Sequence, residues 1–207
     1  MSKESIKELL VNTLVILLIT LVAGGVLGVV NEMTKGPIAE MEVEKIKEAN
    51  RAVFPDAASF SDNILDVSQM EACFSGQYDG VDITEVLEAY NAAGEFLGYV
   101  FEITSHEGYG GDIVFRIGLQ PDGTSNAISI TSISETAGLG MRAEEVIVPQ
   151  FAVNRAEHYE VVKGDRVFDN QIKAISSATI TSKALVNGVN AGLTYLREVL
   201  GGGVANE

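Results

Sequence analysis

Cysteine is nearly absent from this chain of 207 residues. Cys73 stands alone, and one thiol closes no intrachain disulfide, builds no cysteine-rich zinc site and ligates no iron–sulfur cluster by itself. Two histidines leave little for an imidazole metal centre. Positive charge is scarce as well: 14 Lys and Arg face 29 Asp and Glu, and a formal charge of −15 argues against a phosphate-backbone partner, so nucleic acid is set aside. With 46% of residues hydrophobic, the length suits one domain with an appendage better than two full domains.

Charge disappears entirely from Leu9 to Asn31, and Leu14 to Val30 is apolar except for Thr20. A helix of that length crosses a hydrocarbon core of about 30 Å. The competing reading is a cleaved signal peptide, whose apolar region usually spans about 7–15 residues and ends at an A-x-A-like site. No such site follows Val30. We therefore expect a retained transmembrane helix over 9–31, preceded by a short cytoplasmic N-terminus over 1–8. Gly24, Gly25 and Gly28 leave one helix side small enough for close packing against another span. Flanking charge does not decide orientation: Lys3 and Lys7 precede the span while Lys35, Lys45, Lys47 and Arg51 follow it, a count that leans mildly toward a cytoplasmic C-terminal side. Two Lys and two Glu balance before the span, so the whole acidic excess lies after it.

Beyond the span, Ile38, Met41, Ile46, Ala49 and Val53 fit a helical face, with Pro37 near its start and Pro55 just past its end. This predicts a juxtamembrane helical segment over 32–58. The stretch from Asp56 to Tyr78 has no clear period and reads as loop with short elements. Leu97, Tyr99, Phe101 and Ile103 alternate as in a strand, and Ala92-Ala93-Gly94-Glu95 turns the chain back toward Glu85 to Tyr90. Asp112 to Leu119 and Ala127 to Ile133 are further strand segments joined by Pro121-Asp122-Gly123, in which Pro presets φ and Gly accepts positive φ. Leu185, Val189, Leu193, Leu196 and Leu200 recur at helical spacing, with Ser182 as N-cap and Gly201 to Gly203 as a stop. The expectation is an α+β domain over 59–200, an antiparallel sheet with a C-terminal helix, followed by a flexible tail over 201–207.

Three short segments carry chemistry. Ser176-Ser177-Ala178-Thr179-Ile180-Thr181-Ser182 places five hydroxyls in seven residues directly before the final helix. Small side chains let a ligand approach the backbone, hydroxyls donate to phosphate oxygens, and a helix start adds free N–H groups and the positive end of its dipole. Ordinary capping by hydroxyl residues explains the same composition. In Ser134-Glu135-Thr136-Ala137-Gly138-Leu139-Gly140, two glycines would present Leu139 outward, which suits packing on a flat apolar ring. Glu107-Gly108-Tyr109-Gly110-Gly111 is a tight loop between strands. Singly, each of these last two reads as a turn as readily as a ligand loop.

In combination and in this order, the motifs make the chain resemble the G subunit of the Rnf ion-translocating ferredoxin:NAD oxidoreductase, the component that bears covalent FMN, which is a relative of an FMN-bearing component of the sodium-pumping NADH:quinone reductase. The resemblance covers nearly the whole chain, including the N-terminal span, Thr34-Lys35-Gly36-Pro37-Ile38 and Val53-Phe54-Pro55-Asp56-Ala57. It implies that Thr179 bears FMN through a phosphoester. It further implies cofactor contacts from Ser176, Ser177, Ala178 and Thr181, from Glu135, Thr136, Gly138, Leu139 and Gly140 around the ring, and from Tyr109. No catalytic residue and no metal are expected. Ser177 stands where the family usually has glycine, Lys173 where its flavin-attachment consensus usually has aspartate, and Ala137 where proline is usual.

The implied function is electron transfer within a membrane complex, with the FMN domain outside the cytoplasm, a single-pass anchor in the inner membrane, the other membrane subunits of the complex as partners, and a flavin transferase as the attaching enzyme. The quinone-reductase counterpart, a free-standing extracytoplasmic flavoprotein and a non-redox surface or sensory domain of the same fold stay open beside it.

Overall fold

A computed structural model describes residues 3–74 and 76–202. Parts of the expected N-terminal segment over 1–8 and tail over 201–207 lie outside the described residues. The chain forms two compact units, Met1–Lys45 and Ile46–Glu207.

The apolar run lies on α1 (Lys3–Val53), a helix of 51 residues. Within it, Leu10 to Val53 contains a window long and apolar enough to cross a membrane. Its large side chains face outward, Leu14 at 67% and Leu21 at 70% exposure. Pro37, read from the sequence as lying near the start of a juxtamembrane helix, lies inside α1, which runs through it without interruption. Proline forfeits one backbone bond and crowds the preceding turn, at a cost of about 3 kcal/mol. Good helix formers on its C-terminal side, among them Ala39, Glu40, Met41 and Glu42, let the ladder resume beyond it.

The second unit starts earlier than the sequence pattern places it. Ala49, Asn50, Val53 and Phe54 are buried, so the last turns of α1 belong to the domain. After them come β1 (Ser59–Phe60), α2 (Val67–Phe74), β2 (Val81–Tyr90), β3 (Phe96–Ser105), β4 (Ile113–Leu119) and β5 (Thr124–Ile133). Short helical turns over 140–151, including α3 (Ala143–Val146), lead to β6 (Asn154–Arg155), β7 (Glu160–Val162), β8 (Gln171–Lys173) and α4 (Thr179–Glu198). Strands β1 to β6 form one sheet in sequential order, each antiparallel to its neighbour, while β7 and β8 pair in parallel.

Local chemistry explains two of the hairpins. The Asn91 side-chain oxygen accepts from the amides of Ala93 and Glu95, each at 2.9 Å, and closes β2 onto β3. Asp122 accepts from the Thr124 amide at 2.9 Å in the turn between β4 and β5, and that bond holds its carboxyl below the usual range.

The main core lies between α4 and one face of the sheet. Leu185, Val189, Leu193 and Leu196 of α4 are buried in one cluster with Phe101, Ile103, Phe115 and Ile117. A second, smaller cluster covers the opposite face, where Val53 and Phe54 pack with Leu87, Ala89 and Val100. Beside it Arg116, 2% exposed, donates to Glu85 at 2.6 Å, to Glu102, and to the side-chain oxygen of Asn50 at 2.7 Å. Burying a guanidinium is costly unless its charge is paired and hydrogen-bonded, and here the partners tie the end of α1 to β2, β3 and β4.

Helix α4 begins at Thr179, one turn before the expected N-cap Ser182. The Ser182 hydroxyl donates to the Ala178 carbonyl at 2.9 Å and accepts from the Ile175 amide at 3.0 Å. It therefore braces the entering chain from within the helix rather than capping it.

Candidate functional site

Three stretches far apart in sequence meet at the start of α4. Tyr109 comes from the loop between β3 and β4, Glu135, Thr136, Leu139 and Gly140 come from the chain after β5, and Ser177 to Thr181 come from the entry and first turn of α4. Together they line a cavity of about 500 Å³, within the usual range of about 300–1,000 Å³ for small-molecule sites.

Each stretch is held by specific geometry. The Tyr109 amide donates to the Glu135 carboxylate at 2.8 Å and joins the first two loops. Gly140 sits where close approach demands it: a Cβ there would lie 2.7 Å from both Glu135 Cβ and Thr181 Oγ1. Ala178 precedes α4 with no side-chain hydrogen bond capping the helix. The first-turn amides and the positive end of the dipole are thus left to a ligand or to solvent. Ser177 holds φ +65, a left-handed conformation that a side chain normally avoids. Thr179, the first residue of the helix, is partly buried, and its neighbour Thr181 is 1% exposed.

Of the residues singled out from the sequence, Ser176 and Gly138 do not line the cavity. Ser176 lies in the exposed turn before Ser177, and Gly138, at φ +75, turns the backbone that presents Leu139. Ile180, inside the hydroxyl-rich motif but not singled out there as a contact, also lines it. Its signal is an isolated apolar residue in a hydroxyl-rich run, and it stands 52% exposed beside Leu139 at 38% and Tyr109 at 71%. Lys173, at the end of β8, reaches Asp165 at 2.6 Å and lies outside the cavity lining.

Chemically, the site joins two unlike halves. Tyr109, Leu139 and Ile180 offer apolar surface to a flat ring, while Ser177, Thr179 and Thr181 place hydroxyls around an uncapped helix start that favours anions. A flavin mononucleotide has matching parts, a planar tricycle and a terminal phosphate. The residues present fit that group.

The class of the domain follows from its family: the family model described as FMN-binding domain matches residues 108–194, a range that spans all three cavity stretches. Relatives extend the match to most of the chain. The G subunit of the Na(+)-translocating ferredoxin:NAD(+) oxidoreductase complex of Acetobacterium woodii is 35% identical over 86% of each chain. The G subunit of an ion-translocating oxidoreductase complex of Shewanella piezotolerans is 29% identical over 93% of this chain and 91% of its own. The G subunit of the proton-translocating ferredoxin:NAD(+) oxidoreductase complex of Clostridium ljungdahlii is 37% identical over 51% of this chain and 57% of its own. The crystal structure of Shewanella oneidensis NqrC is a more distant likeness, at 13% identity and a TM-score of 0.45 over 69% of each chain. The chain belongs to the G-subunit family of Rnf-type ion-translocating oxidoreductase complexes. It is an electron-carrying subunit of a membrane-associated complex.

Proposed function

We propose that this chain carries FMN covalently, through a phosphoester to the Thr179 hydroxyl, and passes electrons on the extracytoplasmic side of the membrane as part of an Rnf complex. The carrying observation is that Thr179, at an uncapped helix start, lines the same cavity as Tyr109 and Leu139. A phosphate bonded to the Thr179 oxygen would lie at the first-turn amides, and a ring attached to it has apolar surface within the same cavity.

Covalent attachment answers a loss that reversible binding would not. Even a site with a Kd of about 1 μM, or roughly −8 kcal/mol, releases its ligand where free FMN is scarce. FMN supplies the electron-accepting and electron-donating chemistry when bound. The protein supplies position and environment. Leu139, Ile180 and Tyr109 would cover the ring faces, the first-turn amides and the Ser177 and Thr181 hydroxyls would hydrogen-bond the phosphate, and the Glu135 carboxylate would stand beside the ring. Thr179 acts as the acceptor of a flavin transferase rather than as a nucleophile in turnover, and the remaining Rnf membrane subunits are the partners in electron transfer.

Two departures from the family pattern bear on attachment. Ser177 keeps the left-handed turn that glycine would adopt without strain, and Lys173 points to Asp165 on the neighbouring loop. The transferase is therefore asked to accept an altered flank around an unaltered threonine. Coexpression with the transferase of the same organism should give a yellow protein whose colour survives denaturation, and Thr179→Val should be colourless after denaturation. Colour lost on denaturing the unaltered protein would overturn covalent attachment.

A further inference from the structure

The loop carrying Tyr109 is fastened at both stems. His106 opens it and Asp112 closes it. The imidazole Nδ1 lies 2.9 Å from Asp112 Oδ1, and Nε2 lies 3.0 Å from Asp82 Oδ2 on β2. Ionised carboxylates only accept hydrogen bonds, so both contacts are hydrogen bonds at once only when both ring nitrogens carry protons. The His106 amide also donates to the Gly80 carbonyl at 2.8 Å, and Glu107 accepts from Asn187 of α4 at 2.7 Å. At the tip, a Cβ on Gly110 would stand 2.1 Å from the Ser134 carbonyl oxygen, so the loop is pressed directly against the chain that bears Glu135.

We propose that His106 is a positioning residue of the ring site: in its cationic form it ties Asp82 to Asp112, closes the stem of the loop and so sets where Tyr109 stands over the cavity. The proposal rests on the flavin reading only for what Tyr109 covers. The charged groups facing the imidazole are Asp82 from β2 and Asp112 from the far stem, and the adjacent Glu107 turns instead to Asn187. Bonds to Asp112 and then Asp82 raise His106 above the ordinary imidazole range, against a smaller opposing effect of burial. A raised value means the clip is complete below the ordinary range and is lost as pH rises through the folded value. Loss of one proton turns a ring nitrogen from donor to acceptor against a carboxylate, and that side of the clip opens.

With two histidines and six tyrosines, the full chain in detergent can be followed by NMR with carbon-labelled histidine and nitrogen-labelled tyrosine, without any flavin. The Tyr109 amide, assigned by its loss in Tyr109→Phe, should shift with the same midpoint as the His106 ring. Asp112→Asn should move both midpoints to lower pH, and His106→Gln should remove the shift of the Tyr109 amide. A Tyr109 amide that stays still while His106 titrates, or that still titrates in the same range in His106→Gln, would overturn the proposal. Should His106→Gln fail to fold, Asp112→Asn decides by whether the two midpoints move together. In flavinylated protein the absorption envelope should change across that midpoint. A coupled loop with an unchanging flavin envelope would support the clip and count against the ring lying beneath Tyr109.

Discussion

The main-chain amide of Tyr109 donates to the carboxylate of Glu135 at 2.8 Å, across 26 positions of sequence. That bond fuses the loop between β3 and β4 to the chain leaving β5, and the fused pair faces the first turn of α4 across one cavity. Two contiguous strands, β4 and β5, bring its ends together: Ile113 pairs with Ile133 at the base of both loops.

The ring site should respond to loss of apolar cover without losing its cofactor. Leu139→Ala and Tyr109→Ala are each expected to keep covalent flavin and to alter its absorption envelope or midpoint potential. Glu135→Gln retains an oxygen for the Tyr109 amide while removing the charge, so it should raise the potential, because a nearby anion disfavours added electrons. Spectra and potentials unchanged in all three variants would place the flavin elsewhere.

Ser177 tests the strained entry to α4. A left-handed residue other than glycine costs about 1–2 kcal/mol, and glycine's extra unfolded-state freedom takes back about 0.5–1 kcal/mol. Ser177→Gly should therefore stabilise the protein by roughly 0.5–1 kcal/mol, the balance of those two terms, seen as a higher Tm. Ser177→Val should lower the Tm. A Tm for the glycine variant below that of the parent would mean that the serine side chain contributes a stabilising contact.

Sidedness can be read from the single thiol. Cys73 is partly shielded, with its Sγ 3.3 Å from the Met70 carbonyl oxygen, and burial pushes the thiol up. An impermeant thiol reagent acting on intact cells in the presence of an external denaturant should label Cys73 if the domain lies outside. Labelling that appears only after lysis would reverse the proposed topology.

How much of this was legible in the sequence depended on the range of each interaction. The β-hairpins could be read because Ala92-Ala93-Gly94-Glu95 and Pro121-Asp122-Gly123 act within a few residues, and α4 because its buried leucines repeat every three or four positions. The continuation of α1 through Pro37 was hidden, since the penalty at one residue is visible in sequence whereas the helical tendency of the surrounding turns is spread over many. Equally hidden was the second cluster beneath Phe54. Arg116 looks like a surface cation in an alternating strand, and only the fold shows it buried among Asn50, Glu85 and Glu102. At the site, composition marked the hydroxyl run and the glycine loops but could not distinguish caps and turns from a ligand pocket. The family resemblance did that, and the pocket geometry then separated Ser176 and Gly138 from the lining and added Ile180.

The central claim is that Thr179 carries the flavin. Mass spectrometry of peptides from the protein purified out of its native membrane tests it most directly. One peptide should carry FMN, fragmentation should place it on Thr179, and Ser176→Ala or Thr181→Val should leave the modification at that residue. A peptide containing Thr179 found entirely unmodified, or with FMN placed on Thr181 or Ser176 instead, would contradict the account.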